Sequence, residues 1–286
     1  MEDKPVKLVY DILKSCFILE FLNCDKSMPP NLLDYFPEAK GDGLRISWAH
    51  GVNSKVRLSS ALKGSAMILE ADVSMSCNSR YPVPIMALPP AITSDLTLEE
   101  WLHEVLHYNN KGIKLNFRST EVVEPACRVL ARMVDHFRGP IILNADIVPG
   151  PNQPSAPVDS WTFLTLCRTR FPRSIISIGW ATDFISGSYF KPVYTRESTD
   201  LMLGLIKEYS LMQPVMFPVC ISILKYSIPE IQRLLYHVPN SSLVVWSAKG
   251  HPVIIDELLS IRKAFGYHQV FYDLPEEQLE CFFSVT

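Results

Sequence analysis

The chain has 286 residues, 48% of them hydrophobic and 20% charged, with 12 glycines and 22 prolines. This composition excludes a collagen-like, wholly disordered, coiled-coil or small disulfide-stapled protein. Its 27 basic and 30 acidic side chains leave a formal charge of −3, which offers nucleic acid no general attraction.

At the amino terminus Glu2 and Asp3 offset Lys4 and Lys7, and the apolar run from Cys16 to Leu19 stops at Glu20. No secretory pattern results, and no stretch approaches the roughly 20 residues that cross a bilayer. Residues 1–40 are expected to form an extension or cap, broken at Pro29-Pro30 and Gly41-Asp42-Gly43, with 41–286 as one domain. The seven cysteines are odd in number and contain no CxxC, so a zinc knuckle or dithiol site is not expected. Reduced thiols in a cytoplasmic protein are the simple reading.

Strands are predicted at 44–48, 66–70, 83–87, 112–117, 140–145, 174–179, 214–219 and 242–246. Several are apolar on both faces, as parallel strands covered by helices must be. Helices are predicted between many of them. Thr97 and Glu100 form a capping box before Trp101, while Val122, Val123, Ala126, Val129 and Leu130 recur at helical spacing. Ser227 and Pro229 open another helix, and Ile254, Ile255, Leu258 and Ile261 mark one near the end. The expected fold is an α/β protein, a closed parallel (β/α)8 TIM-like barrel. The competing doubly wound sheet lacks its glycine-rich strand-to-helix loop here.

A barrel brings the carboxyl ends of its strands to one face, where His50, Glu70, Asp72, Asn116, Arg118, Asp146, Trp246 and Lys249 would collect. Glu70 and Asp72 lie two apart on a strand and point the same way. Clustered carboxylates repel unless a cation or proton joins them, and Asn116 adds a neutral oxygen, a set that suits Mg²⁺ or Ca²⁺. A solvated or ion-paired rim explains the same acids. His50 suits proton exchange or a phosphoryl oxygen, or a structural hydrogen bond. Asn53 either orients a ligand or caps a helix from Ser54. Arg118 and Lys249 either neutralise an anionic substrate or pair with nearby acids. Trp246 either stacks on substrate or packs. Asp146 is a further ligand or a turn residue before Pro149-Gly150.

The segments ISWAHGVNSK, ILEADV, PIMALPP, GIKLNFRS, NADIVPGP and SIGW together resemble the menorin family, also called the family with sequence similarity 151. That family is similar to phosphodiesterases of the phospholipase C-like barrel type, including glycerophosphodiester phosphodiesterases. The resemblance implies that His50-Gly51 matches the histidine after the first strand and that Glu70 and Asp72 hold a divalent cation. It also places Asn116 where the enzymes carry an acid, Arg118 at their basic position, and Trp246 at the tryptophan of the final strand. A phosphodiester or other anionic small molecule is the implied ligand, and His50 the implied catalytic group. One departure stands out. Leu88 occupies the place of a second histidine and cannot transfer a proton. The alternative is a weak or inactive barrel that binds a ligand or a protein partner.

Overall fold

Eight short strands pair in parallel in the order β1-β2-β4-β5-β6-β7-β8-β9, and helices cover their outer side. They are β1 Trp48–Ala49, β2 Ile68–Met75, β4 Gly112–Phe117, β5 Ile141–Val148, β6 Ile175–Trp180, β7 Val215–Cys220, β8 Ser241–Trp246 and β9 Val270–Asp273. The result is the expected, largely closed α/β barrel. The structure is a computed structural model that describes residues 31–77, 80–151, 153–182, 192–247 and 254–286.

Two of the eight expected strands are placed differently. Residues 83–87 give β3 (Pro84–Met86), which pairs antiparallel with β2, Val73 opposite Met86 and Met75 opposite Pro84. The link from Met75 to Pro84 is too short for a parallel crossover, which needs about a dozen residues, so β3 folds back as a hairpin outside the barrel. At 44–48 most of the run forms a 3₁₀ turn, Gly43–Arg45, and only Trp48 enters β1. That turn lies against β9. A Cβ on Gly43 would sit 2.1 Å from the Val270 carbonyl oxygen, and the Gly43 amide donates to Tyr267 O at 2.8 Å. The barrel's remaining strand is β9, which the sequence pattern did not single out.

The helices between strands follow their local signals. In α2 (Lys55–Lys63) the cap is Ser54, whose Oγ accepts from the Arg57 amide at 3.3 Å. In α3 (Leu98–Tyr108) Thr97 and Glu100 form the expected reciprocal box. Further helices are α4 (Thr120–Ala131), α5 (Ser160–Arg170), α6 (Arg196–Glu208), α7 (Ile221–Leu224), α8 (Ile228–His237), α9 (Ile255–Phe265) and α10 (Glu276–Phe283). Their apolar faces bury Trp101, Val122, Leu130, Phe163, Leu234 and Ile261 against the outer face of the strands.

Inside the barrel a second cluster fills the amino-terminal end. Ile68, Ile142, Ile175, Met216, Val244 and Phe271 meet there, all but Val244 from the first or second position of a strand. Leu32, Leu33, Phe36 and Ala39 close it from below, from the short helix α1 (Leu32–Tyr35) and the turn after it. Further up, the interior turns polar.

Candidate functional site

Residues two apart on a strand share a face, so on β2, β4, β5, β6 and β9 an inward residue near the start of the strand is followed by inward polar ones. On β2 Ile68 is followed by Glu70 and Asp72, on β4 Gly112 by Lys114 and Asn116, and on β5 Ile142 by Asn144 and Asp146. On β6 Ile175 is followed by Ser177, and on β9 Phe271 by Asp273. These polar groups stack toward the carboxyl-terminal mouth.

Three of them and His50 form a closed ring of alternating charge. His50 Nδ1, just past β1, lies 2.6 Å from Asp273 Oδ1 and 2.9 Å from Glu70 Oε2. Lys114 Nζ lies 3.1 Å from Asp273 Oδ2 and 3.3 Å from Glu70 Oε1. Each carboxylate therefore bridges both cations. Burial alone would lower the His50 pKa, but Asp273 and Glu70 reverse this and hold it up at about 10. Burial likewise opposes charge on Glu70 and Lys114. Lys114, His50 and Asn116 nevertheless hold Glu70 well below the carboxylate range, and Glu70 and Asp273 hold Lys114 above its ordinary value.

Beside the ring, Asp72 is only 4% exposed and is fully engaged. Its Oδ1 accepts from Arg118 Nε at 2.7 Å, with Arg118 Nη2 also in contact, and from Asn116 Nδ2 at 3.2 Å. Its Oδ2 accepts from Asn53 Nδ2 at 2.8 Å, and its amide donates to Asn53 Oδ1 at 2.8 Å. Asn116 Nδ2 also donates to Glu70 Oε1 at 2.7 Å. Asn116 Oδ1 accepts from Asn144 Nδ2 at 3.0 Å, and Asn144 Oδ1 accepts from Ser177 Oγ at 2.6 Å. This buried relay turns the Asn116 nitrogen, not its oxygen, toward the two acids.

Of the residues expected at the site, His50, Glu70, Asp72, Asn116 and Arg118 thus share one hydrogen-bonded cluster. Asn53 joins it through Asp72 and leaves the helix cap to Ser54. Trp246 ends β8 opposite Asp273 and borders the ring. Lys249 lies outside the described residues. Asp146 is a strand residue of β5 rather than a turn residue. Leu88 is 52% exposed on the rim, one residue past Ala87, whose amide donates to the Asp72 carbonyl at 2.9 Å. Lys114, Asp273, Asn144 and Ser177 were missed. For Lys114 the signal was available, because it has the same strand parity as Asn116 and Arg118.

The donor set can hold a divalent cation: His50, Glu70 and Asp273 offer one nitrogen and two carboxylate oxygens, all within 4.8 Å of one another. A metal on Nδ1 must displace the proton that His50 shares with the acids. Mg²⁺ and Ca²⁺ prefer oxygen, so an imidazole in the triad does not select them. No helix among the described residues is long and apolar enough to cross a membrane.

The family model for the menorin N-terminal domain matches residues 42–279. The human protein FAM151B is 38% identical over 260 residues, covering 88% of this chain and 92% of its own. Among solved structures, a glycerophosphodiester phosphodiesterase from Parabacteroides distasonis superposes with a TM-score of 0.50 at 14% identity, over 83% of this chain and 96% of that one. That likeness is one of fold.

Proposed function

This chain belongs to the menorin family, and from that premise we propose that it is a divalent-cation-dependent, phosphodiesterase-like hydrolase of the cytoplasm. Its substrate on this reading is a glycerophosphodiester or a phospholipid-related ester. The observation that supports it is the meeting of His50, Glu70, Asp72, Asn116 and Arg118 in one cluster at the barrel mouth. Glu70 and Asp72 would hold Mg²⁺ or Ca²⁺, with Asn116 beside them once its amide is reversed. Such a cation, when bound, stabilises charge developing on the phosphoryl oxygens. Arg118, already at the mouth, offsets phosphate charge from the other side, and Lys249 is assigned the same task. Asn53 fixes Asp72 and is assigned the task of orienting the ester. Trp246 offers its ring to the substrate's organic group. His50 is held charged, so it donates hydrogen bonds rather than accepting a proton.

Calorimetry with Mg²⁺ and Ca²⁺, and hydrolysis of glycerophosphocholine, test the proposal. The native protein should bind one of the ions and turn the ester over, and Asp72→Asn should lose most of both. Equal binding by the two proteins would place the cation elsewhere.

One observation favours a second reading, a barrel that binds an anionic ligand or a protein partner without turnover. Glu70, Asp72 and Asp273 are already neutralised by Lys114, His50 and Arg118. Ligand binding with no hydrolysis under any cation would select it.

A further inference from the structure

We propose that Asp146 is the proton-donating group of this mouth, giving its proton to an oxygen of a bound phosphate ester. The inference rests on the hydrolase reading above and names a residue that reading does not use.

Asp146 follows Ile142 and Asn144 on the inward face of β5, one step nearer the mouth than the amide relay. Its partner across the sheet is Gly179 of β6. A Cβ on that glycine would lie 2.3 Å from Asp146 Oδ1 and 2.9 Å from Pro218 Cγ. The neighbouring strand therefore gives up its side chain where this carboxyl sits. Glu70, Asp72 and Asp273 are each tied to two or more partners. Asp146, by contrast, has no hydrogen-bond donor and no cation within ion-pair distance among the described residues. As a whole residue Asp146 is half-buried.

Desolvation raises this carboxyl to about 6, against the pull of Arg118 and Lys114. Both protonation states are then populated near neutral pH, as an acid–base group requires. The groups around it hold their state. Lys114 of β4 and Arg118, the residue after that strand, face it, and Lys114 stays charged. Tyr194 faces it from the segment before α6 and is held protonated by burial, its Oη accepting from the Cys220 amide of β7 at 3.0 Å. Gly179 and Pro218 bring no charge from β6 and β7. His50, across the mouth, keeps its proton to about 10.

In the step this permits, a water oxygen bonds to phosphorus as the ester P–O bond breaks. The leaving alkoxide takes the Asp146 proton and departs as an alcohol. The proton lost by the water passes to solvent through the mouth, from which Asp146 is reprotonated. Leu88 cannot supply that proton, and Asp146 removes the need for it.

Sulfate remains dianionic between about pH 5 and pH 8, so it tests the contact without turnover. Calorimetry should show native affinity rising on the order of tenfold from about pH 7.5 to about pH 5. Asp146→Asn, isosteric and able to donate at every pH, should bind at both pH values as the native protein does at the lower one. Equal pH dependence in both proteins, or no native binding at all, overturns the proposal. With Mg²⁺ and glycerophosphocholine, whose leaving group is an alkoxide that needs a proton, Asp146→Asn should lower kcat by about 10²–10⁴ with little change in KM. Unchanged kcat removes the leaving-group role. No native turnover, with the sulfate result intact, removes the hydrolase reading and that role together but leaves the proton-donating contact standing.

Discussion

Lys114 carries an ammonium into the barrel interior, 5.6 Å from the Trp48 ring centre and between two carboxylates. Desolvating such a charge costs several kcal/mol, and Glu70 and Asp273 offset that cost only because both reach it. The ring is held by mutual dependence. Removing one member leaves buried charge without a partner. Lys114→Met should therefore destabilise the protein by about 3–5 kcal/mol in urea denaturation, although methionine fills a similar volume. A loss below about 1 kcal/mol would mean that His50 alone neutralises both acids. The polarity of Asn116 is a property of the same kind, since it follows from the Ser177 hydroxyl two strands away rather than from Asn116 itself.

At the scale of elements, the vulnerable place is the seam between β1 and β9, the two ends of the strand order. It is closed by the turn at Gly43, by the His50–Asp273 contact and by a bidentate clamp from α9. In that clamp Arg262 Nη1 and Nη2 donate to Asp42 Oδ1 and Oδ2 at 2.8 and 2.6 Å. Burial pushes the Asp42 carboxyl up, but Arg262 and the Leu44 amide outweigh it and hold the pKa below the usual range. A depressed folded-state pKa gives stability that is present above the unfolded value of about 4 and is lost as pH falls through the folded one. Native protein should thus be more stable than Arg262→Gln near neutral pH, and the gap should narrow in acid below about pH 4. Melting curves across that range check this; a gap that widens in acid contradicts it. The same seam explains β9, because a two-residue β1 cannot close a barrel against β8 without a further strand.

Across the whole molecule the interior is graded along the barrel axis, apolar at the amino-terminal end and charged at the mouth. The apolar end needs a lid, since the inner faces of Ile68, Ile142 and Met216 would otherwise meet water. Leu32, Leu33 and Phe36 provide it. Phe36→Ala should cost about 3–5 kcal/mol, the usual range for truncating a buried aromatic. Since the lid lies at the opposite end from the cluster, cation affinity measured by calorimetry should stay unchanged. A fall in affinity would show that the two ends are coupled through the barrel.

The barrel was legible because parallel strands buried on both faces are largely apolar, and helices between them repeat at 3.6 residues. Both are local patterns. The carboxyl-end rule then gathered His50, Glu70, Asp72, Asn116 and Arg118 from distant positions without any distance being known. Other features had no local mark. Whether 83–87 enters the barrel or folds back depends on the strand it pairs with, and Val270–Asp273 is too short to stand out from an aromatic helix edge. The ring partner Asp273 lies 159 residues from Lys114, and nothing near either residue announces the other. Pairing, amide polarity and the freedom of Asp146 are decided by which side chains occupy the space opposite, as Gly179 does by leaving it empty. Periodicity along the chain tells which face a residue takes; only closure of the sheet determines what that face meets.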